Sequence, residues 1–165
     1  MNSMNLLPEL PLDFPIAAID RWSLEVYFGV GNVKPYPGRD PNDLLVVTDK
    51  NGQTQVWVRP LSDDGTFNTK YRKDYETVMN MVVSKDLDID HIQSKTRAGQ
   101  QGYKYVRLIP LKLEVNRAWG ARWEKRTANL GKNGFVDPSP PTIRMIDHFQ
   151  WWKILGVLPE NTPYG

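Results

Sequence analysis

The sequence predicts one α+β domain, and three observations carry that expectation. Two β-rich runs flank Asn51-Gly52, the strongest short-range signal for a tight antiparallel hairpin. Farther on, Tyr71, Tyr75, Val78, Met79 and Val82 fall at i, i+4, i+7, i+8 and i+11, which is helical spacing. Two more strand-like runs then lead into a helix-forming segment. A chain of 165 residues, 40% of them hydrophobic, can build one sizeable core and is short for two large ones, so a single domain over 1–165 is expected.

The elements follow in order. The first fourteen residues are rich in Pro and Leu without a period, and 1–20 reads as an arm laid over the fold. Trp22 to Phe28 alternates loosely and is aromatic and β-branched, which suits a strand. Pro35, Pro37, Gly38 and Pro41 make 32–43 a loop. The hairpin strands are Leu44 to Thr48 and Thr54 to Arg59. After a loop at Ser62 to Thr66 comes the helix around 71–82. Leu87 to Ile92 is a short alternating strand, and a polar connection of about ten residues joins it to an antiparallel partner, Tyr103 to Ile109. Pro110, which cannot donate to a ladder, is expected to close that partner. From Leu113 to Ala128 good helix formers carry Leu113, Val115, Ala118, Trp119 and Trp123; the two Trp, at i and i+4, read as core. A Gly/Asn/Pro-rich loop at 131–141 precedes a last amphipathic helix over 142–155, with Ile143, Ile146, Trp151 and Ile154 inward. The predicted domain is a two-stranded antiparallel unit plus helix over 87–126, with an additional N-terminal hairpin and two flanking helices.

Composition excludes several chemistries. There is no cysteine, hence no disulfide framework, thiolate zinc site or cysteine nucleophile. The first residues lack the basic and apolar regions of a secretory signal, so Sec export is not expected and the site of action reads as cytoplasmic. The apolar stretch from Phe149 to Leu158 has Lys153 inside it and is roughly half of what a membrane span needs. Net charge is +2, but the window from Ile92 to Asn133 holds ten basic residues against Glu114 and Glu124. That window sums to +8 in 42 residues and the remainder to −6, so a bland total conceals a polarised chain. A concentrated positive segment is what a phosphodiester binder requires, although Lys and Arg also populate ordinary solvated helix faces.

Within the same unit, Asp88-Ile-Asp90-His91-Ile92 ends one strand, Val106-Arg107-Leu-Ile-Pro110 forms the next, and Asn116-Arg117 opens the helix. This order resembles the ββα-metal, or HNH, nuclease motif, in the version with Asp-His on the first strand and Asn on the helix. Val115-Asn116-Arg-Ala-Trp119-Gly-Ala-Arg122-Trp123-Glu124 is also similar to the helix of the sugar-non-specific ββα-metal nucleases. The resemblance implies a ββα-metal core and metal-assisted hydrolysis of phosphodiesters, DNA foremost, with low sequence preference. It implies Mg²⁺ or Mn²⁺ held by the Asp90 carboxylate and the Asn116 amide oxygen, since hard cations take oxygen ligands. His91 would be the general base, as a neutral imidazole near pH 7 can accept the proton of the attacking water. Arg107 would clamp the phosphate and Glu124, about 80° round the helix from Asn116, would hold a metal-bound water. Arg117, Lys95 and Arg122 would bind substrate, and Asp88, on the same strand side as Asp90, would orient a neighbour. Adjacent residues point to opposite faces of an ideal strand, so a bend or bulge is expected where Asp90 and His91 meet one site.

Small ββα-metal domains in idiosyncratic shells resemble interbacterial toxin effectors, which implies delivery by specialised secretion and a tightly bound immunity protein as partner, with no membrane and no organic cofactor. The rival class is a non-catalytic nucleic-acid-binding or protein-interaction module on the same fold; an immunity or adaptor protein is a third. Asp147-His148 repeats the dipeptide without partner residues, and His148 reads as structural.

Overall fold

A computed structural model describes residues 8–62, 64–120 and 139–163. It is a mixed α+β domain whose elements are β1 (Pro15–Ala18), α1 (Arg21–Phe28), β2 (Val33–Pro35), β3 (Leu44–Thr48), β4 (Thr54–Val58), α2 (Tyr71–Met79), β5 (Leu87–His91), α3 (Lys95–Gln100), β6 (Tyr105–Lys112), α4 (Leu113–Trp119), β7 (Ile143–Met145) and α5 (His148–Ile154). The strands form one antiparallel sheet in the order β2-β3-β4-β6-β1-β7, with β5 also on β6. Among the described residues no helix is long and apolar enough to cross a membrane.

β6 organises the sheet because its two edges carry three partners. β4 pairs along 106–108, β1 takes 105–106, and β5 takes 108–112. The expected β3–β4 hairpin is present, with Leu44 opposite Val58 and Thr48 opposite Thr54. Its turn needs the left-handed region at Gly52 (φ 76°), and the Asp49 carboxylate accepts the Asn51 and Gln53 amides, which fixes the loop.

Alternation divides the side chains between two faces. On one, Val56, Val58, Ile89, Val106 and Leu108 pack with Tyr75 and Val78 of α2. On the other, Leu45, Val47, Trp57 and Tyr105 receive Leu24 and Phe28 of α1, while Ile16, Ile92 and Leu111 meet Trp151 and Ile154 of α5. Trp119 and Val115 of α4 lie against Trp152 of α5, and the Trp119 indole donates to the Val157 carbonyl at 2.8 Å, so this tryptophan is core as expected.

Several expectations give way to stronger local signals. The segment Trp22 to Phe28 is helical: Asp20 caps it by accepting from the Ser23 amide (2.8 Å) and hydroxyl (2.7 Å). The helix buries Leu24 fully while leaving Trp22 and Val26 66% and 67% exposed, so the apolar alternation is shared between two helix faces. Residues 8–20 are more than an arm, because β1 sits inside the sheet between β6 and β7 and Ile16, Ala17 and Ala18 are fully buried; 1–7 lie outside the described residues. The connection after β5 contains α3. The segment 142–155 divides into β7 and α5, because Asp147 and Gln150 form a reciprocal capping box that starts the helix at His148.

Pro110 does not end β6, which runs to Lys112. Ladder bonds with the β5 side fall at Ile92 to Arg107 (3.2 Å) and at every second pair from there. Pro110, opposite Ile89, therefore turns its missing donor to the other edge, where β4 pairs only as far as Leu108.

The capping box yields a stability prediction. Asp147→Ala is expected to lower the unfolding free energy in urea by about 1 kcal/mol, because the Gln150 amide loses its acceptor. An unchanged midpoint would show that packing alone sets the start of α5.

Candidate functional site

The even residues of β5 build a polar cluster on the face covered by α4 and α5. α4 follows β6 directly, and the Leu113 amide still bonds the Asp86 carbonyl at 3.0 Å, so the helix turns back over β5. This brings Asn116 to Asp88, with the Asn116 side-chain amide donating to Asp88 Oδ2 at 3.0 Å. One pair along the strand, Asp90 Oδ2 meets Lys153 Nζ of α5 at 3.0 Å. The lysine side chain is 2% exposed and that of Asp90 14%, so both charges are largely withdrawn from water and stabilise each other.

Beyond Lys153 a cavity of about 220 Å³ opens between the start of α3, the end of α4, β7 and α5. Gln93, Arg97, Arg144, Gln150 and Lys153 line it over an aromatic wall that includes Trp119. Gln150 holds the α5 side in place, donating to the Ile92 carbonyl at 3.2 Å and to the Gln93 side-chain oxygen at 3.1 Å. Arg97 and Arg144 there, with Lys153 paired to Asp90 and Asp147 as the one acid of the lining, suit an anionic oxygen group, and Arg presents a planar fork to it.

The structure thus joins Asn116 to Asp88 and places Asp90 on the same side of β5, paired with Lys153. His91 and Lys95 lie elsewhere. The β5–β6 register is continuous from Leu87 to His91, without the bulge that a common site requires, so His91 points to the α2 face. Its ring packs edge-on against Tyr71 at 4.5 Å, it is 5% exposed, and its Nε2 is buried without a hydrogen-bond partner among the described residues. Burial, with the Lys95 charge nearby, lowers its pKa from 6.5 to about 3. Lys95 stands over the Phe67 and Tyr71 rings on that side, at 4.8 and 5.4 Å.

Arg107 shares the Asp90 side of the sheet but faces a different cavity, its guanidinium 4.6 Å from the centre of the Phe14 ring. Arg117 is exposed on α4. Glu124 and Arg122 lie outside the described residues. Sequence reasoning missed Lys153, Arg144, Gln93 and Gln150. The available signals were a lysine inside the apolar run from Phe149 to Leu158 and the capping-box spacing of Asp147 and Gln150, which puts Gln150 and Lys153 on one side of α5.

Among the described residues no three His, Asp or Glu side chains converge on one point. Asp88, Asp90 and the Asn116 carbonyl oxygen nevertheless match in kind the donors that Mg²⁺ or Mn²⁺ takes, with Lys153 as a resident competitor for Asp90. Comparison with protein-family models, curated proteins and solved structures finds no match to this chain.

Two predictions follow from the geometry. Lys153→Met should destabilise the fold by about 3 kcal/mol or more, since it removes the cationic partner of a largely buried carboxylate, and adding Asp90→Asn should restore much of the loss. Denaturant unfolding of the single and double variants measures both, and equal losses in the two would contradict a coupled pair. For His91, the unfolded chain takes up a proton near pH 6.5 and the folded chain only near 3. Stability should therefore fall as pH drops through that window, by at most about 1.4 kcal/mol per unit from this group. His91→Phe should flatten that part of the profile, and an imidazole signal assigned to His91 that titrates near pH 6 would refute its burial as a neutral ring.

Proposed function

We propose that this chain binds nucleic acid at the face formed by Asp88, Asp90, Asn116 and the Arg97–Arg144–Lys153 cavity, and hydrolyses its phosphodiester bonds with a divalent cation, DNA being the first substrate to test. The observation that carries this reading is the hydrogen bond between Asn116 on the helix and Asp88 on the first strand of a strand–strand–helix unit, beside a cavity lined by three cations. Asp90 and Asn116 would hold Mg²⁺ or Mn²⁺, which supplies Lewis-acid stabilisation of charge on phosphate oxygens. Arg97 and Arg144 bind and orient the phosphodiester, and Lys153 keeps the Asp90 carboxylate in position until that charge is needed at the site. The proton-accepting role that the resemblance implies for His91 requires its imidazole on the Asp90 face, whereas the regular ladder carries it to the other. The reading therefore rests on the Asp90 face alone.

A second reading, nucleic-acid binding without cleavage, is favoured by one observation: Lys153 already neutralises Asp90. Supercoiled plasmid incubated with the chain and Mg²⁺ or Mn²⁺ separates the two. The nuclease reading expects nicking or linearisation that disappears with EDTA and in Asp90→Asn and Asn116→Ala, while His91→Ala retains cleavage to the extent that it folds. Absence of cleavage under both metals, with duplex DNA still retarded in a gel, would leave the binding module.

A further inference from the structure

A second cavity, of about 390 Å³, lies on the same sheet face between α1 and the β3–β4 turn, and it shares no lining residue with the cavity beside Lys153. Its size falls within the usual range of small-molecule sites. Phe14, Tyr27 and Phe28 supply aromatic walls, Asn32 and Gln53 supply amides, and Arg107 supplies a cation.

Arg107 is the unusual member. It occupies the middle of β6, opposite Trp57, between the two apolar clusters of this face. Its contact with the Phe14 ring is a cation–π interaction, and among the described residues its guanidinium makes no hydrogen bond or ion pair. Burial lowers its pKa to about 10, with the Asp49 carboxylate acting in the opposite direction. Its guanidinium borders the cavity with no hydrogen-bonded anion among the described residues, an arrangement that suits a ligand.

Two acids, Asp49 and Asp13, line the same cavity, and both are engaged by other groups. Asp49 accepts the Asn51 and Gln53 amides at 2.9 and 3.0 Å and the Gln55 side chain at 3.4 Å, locking the hairpin turn. Asp13 pairs with Lys50 across the rim at 3.2 Å. The fork of Arg107, with two parallel donors to offer, is left for an incoming oxyanion, and the rings around it accept a flat apolar body.

We propose that this cavity binds a small aromatic anion, with Arg107 forked onto its carboxylate or phosphate and its ring held among Phe14, Tyr27 and Phe28. The site is independent of the Asp90 face and stands or falls apart from the nuclease reading.

Titration calorimetry of the full chain with adenosine monophosphate, 4-hydroxybenzoate and inorganic phosphate tests it. Saturable binding of at least one aromatic anion is expected, tighter than that of phosphate alone; the two aromatic probes separate a phosphate ligand from a carboxylate. Arg107→Gln should weaken that binding roughly ten- to a hundredfold, as loss of a charge-assisted pair does. Should that variant fail to fold, chemical-shift mapping on the unaltered chain decides: the amides of Asn32, Gln53 and Arg107 should move on titration while those of Gln93 and Gln150 stay. No binding of either aromatic anion at a few millimolar, phosphate binding as tightly as both, or shifts centred on Gln93 and Gln150 would each overturn the proposal.

Discussion

The ladder between β5 and β6 fixes which chemical groups can meet in this domain. Because its register is unbroken from Leu87 to His91, period-two alternation sends Asp88, Asp90 and then Ile92 toward α4 and α5, and Leu87, Ile89 and His91 toward α2. A slip of one residue would exchange the two sets, placing carboxylates in the apolar cluster under α2 and isoleucine against Lys153. The burial of Ile89 on one side and the Asp90–Lys153 pair on the other make that exchange costly from both directions. Absence of a loop between β6 and α4 extends the constraint, since a helix that begins where the ladder ends inherits its direction from the strand.

α5 is fastened to the same strand by a different means. Gln150 caps its own helix through the Asp147 amide and also grips the end of β5 at Ile92 and Gln93, and Lys153, one turn on, reaches Asp90. These contacts are polar in a region otherwise packed by Ile16, Ile92, Trp151 and Trp152. Apolar packing alone tolerates small rotations of a short helix, whereas hydrogen bonds and a buried ion pair do not, so they set the position of the cavity that Gln93, Gln150 and Lys153 line. The walls of that cavity are thereby held before any ligand arrives.

How much of this was legible depended on whether the deciding signal was local. The Asn51-Gly52 hairpin, the α2 period and the antiparallel β5–β6 pair each declare themselves within a few residues, and each is present. Trp22 to Phe28 satisfied a strand pattern because Trp22, Leu24, Val26 and Phe28 are all apolar; the capping Asp20-x-x-Ser23 pair outranked it. β1 and β7 are short strands whose reason to exist is each other and β6, a long-range pairing that no window of sequence contains. Pro110 is the instructive case, since its tolerance depends on which edge of β6 lacks a neighbour at that height, a property of the assembled sheet. At the site, the nearness of Asn116 to the carboxylates of β5 was legible, although its partner is Asp88 and not Asp90, whereas Lys153 and Arg144 enter from elements the sequence places far away.

Charge shows the same gap between chain and fold. The ten basic residues between Ile92 and Asn133 share one window of sequence, yet those described are spread over different surroundings. Lys95 lies over aromatic rings on the α2 side, Lys104 donates to Asn42 at 2.7 Å, Arg107 turns into the aromatic cavity, and Arg117 is exposed on α4. Arg97 alone of these lines the cavity beside Asp90, and the cations that join it there, Arg144 and Lys153, come from outside the window. Electrostatic attraction acts through space over about a Debye length, so the relevant density is the charge gathered around one concave space, where Arg97 and Arg144 stand with Asp147 and with a Lys153 paired to Asp90. A charge excess along a strand–helix segment is therefore weaker support for a nucleic-acid surface than cations converging from α3, β7 and α5, because only the second arrangement is a concentration in space.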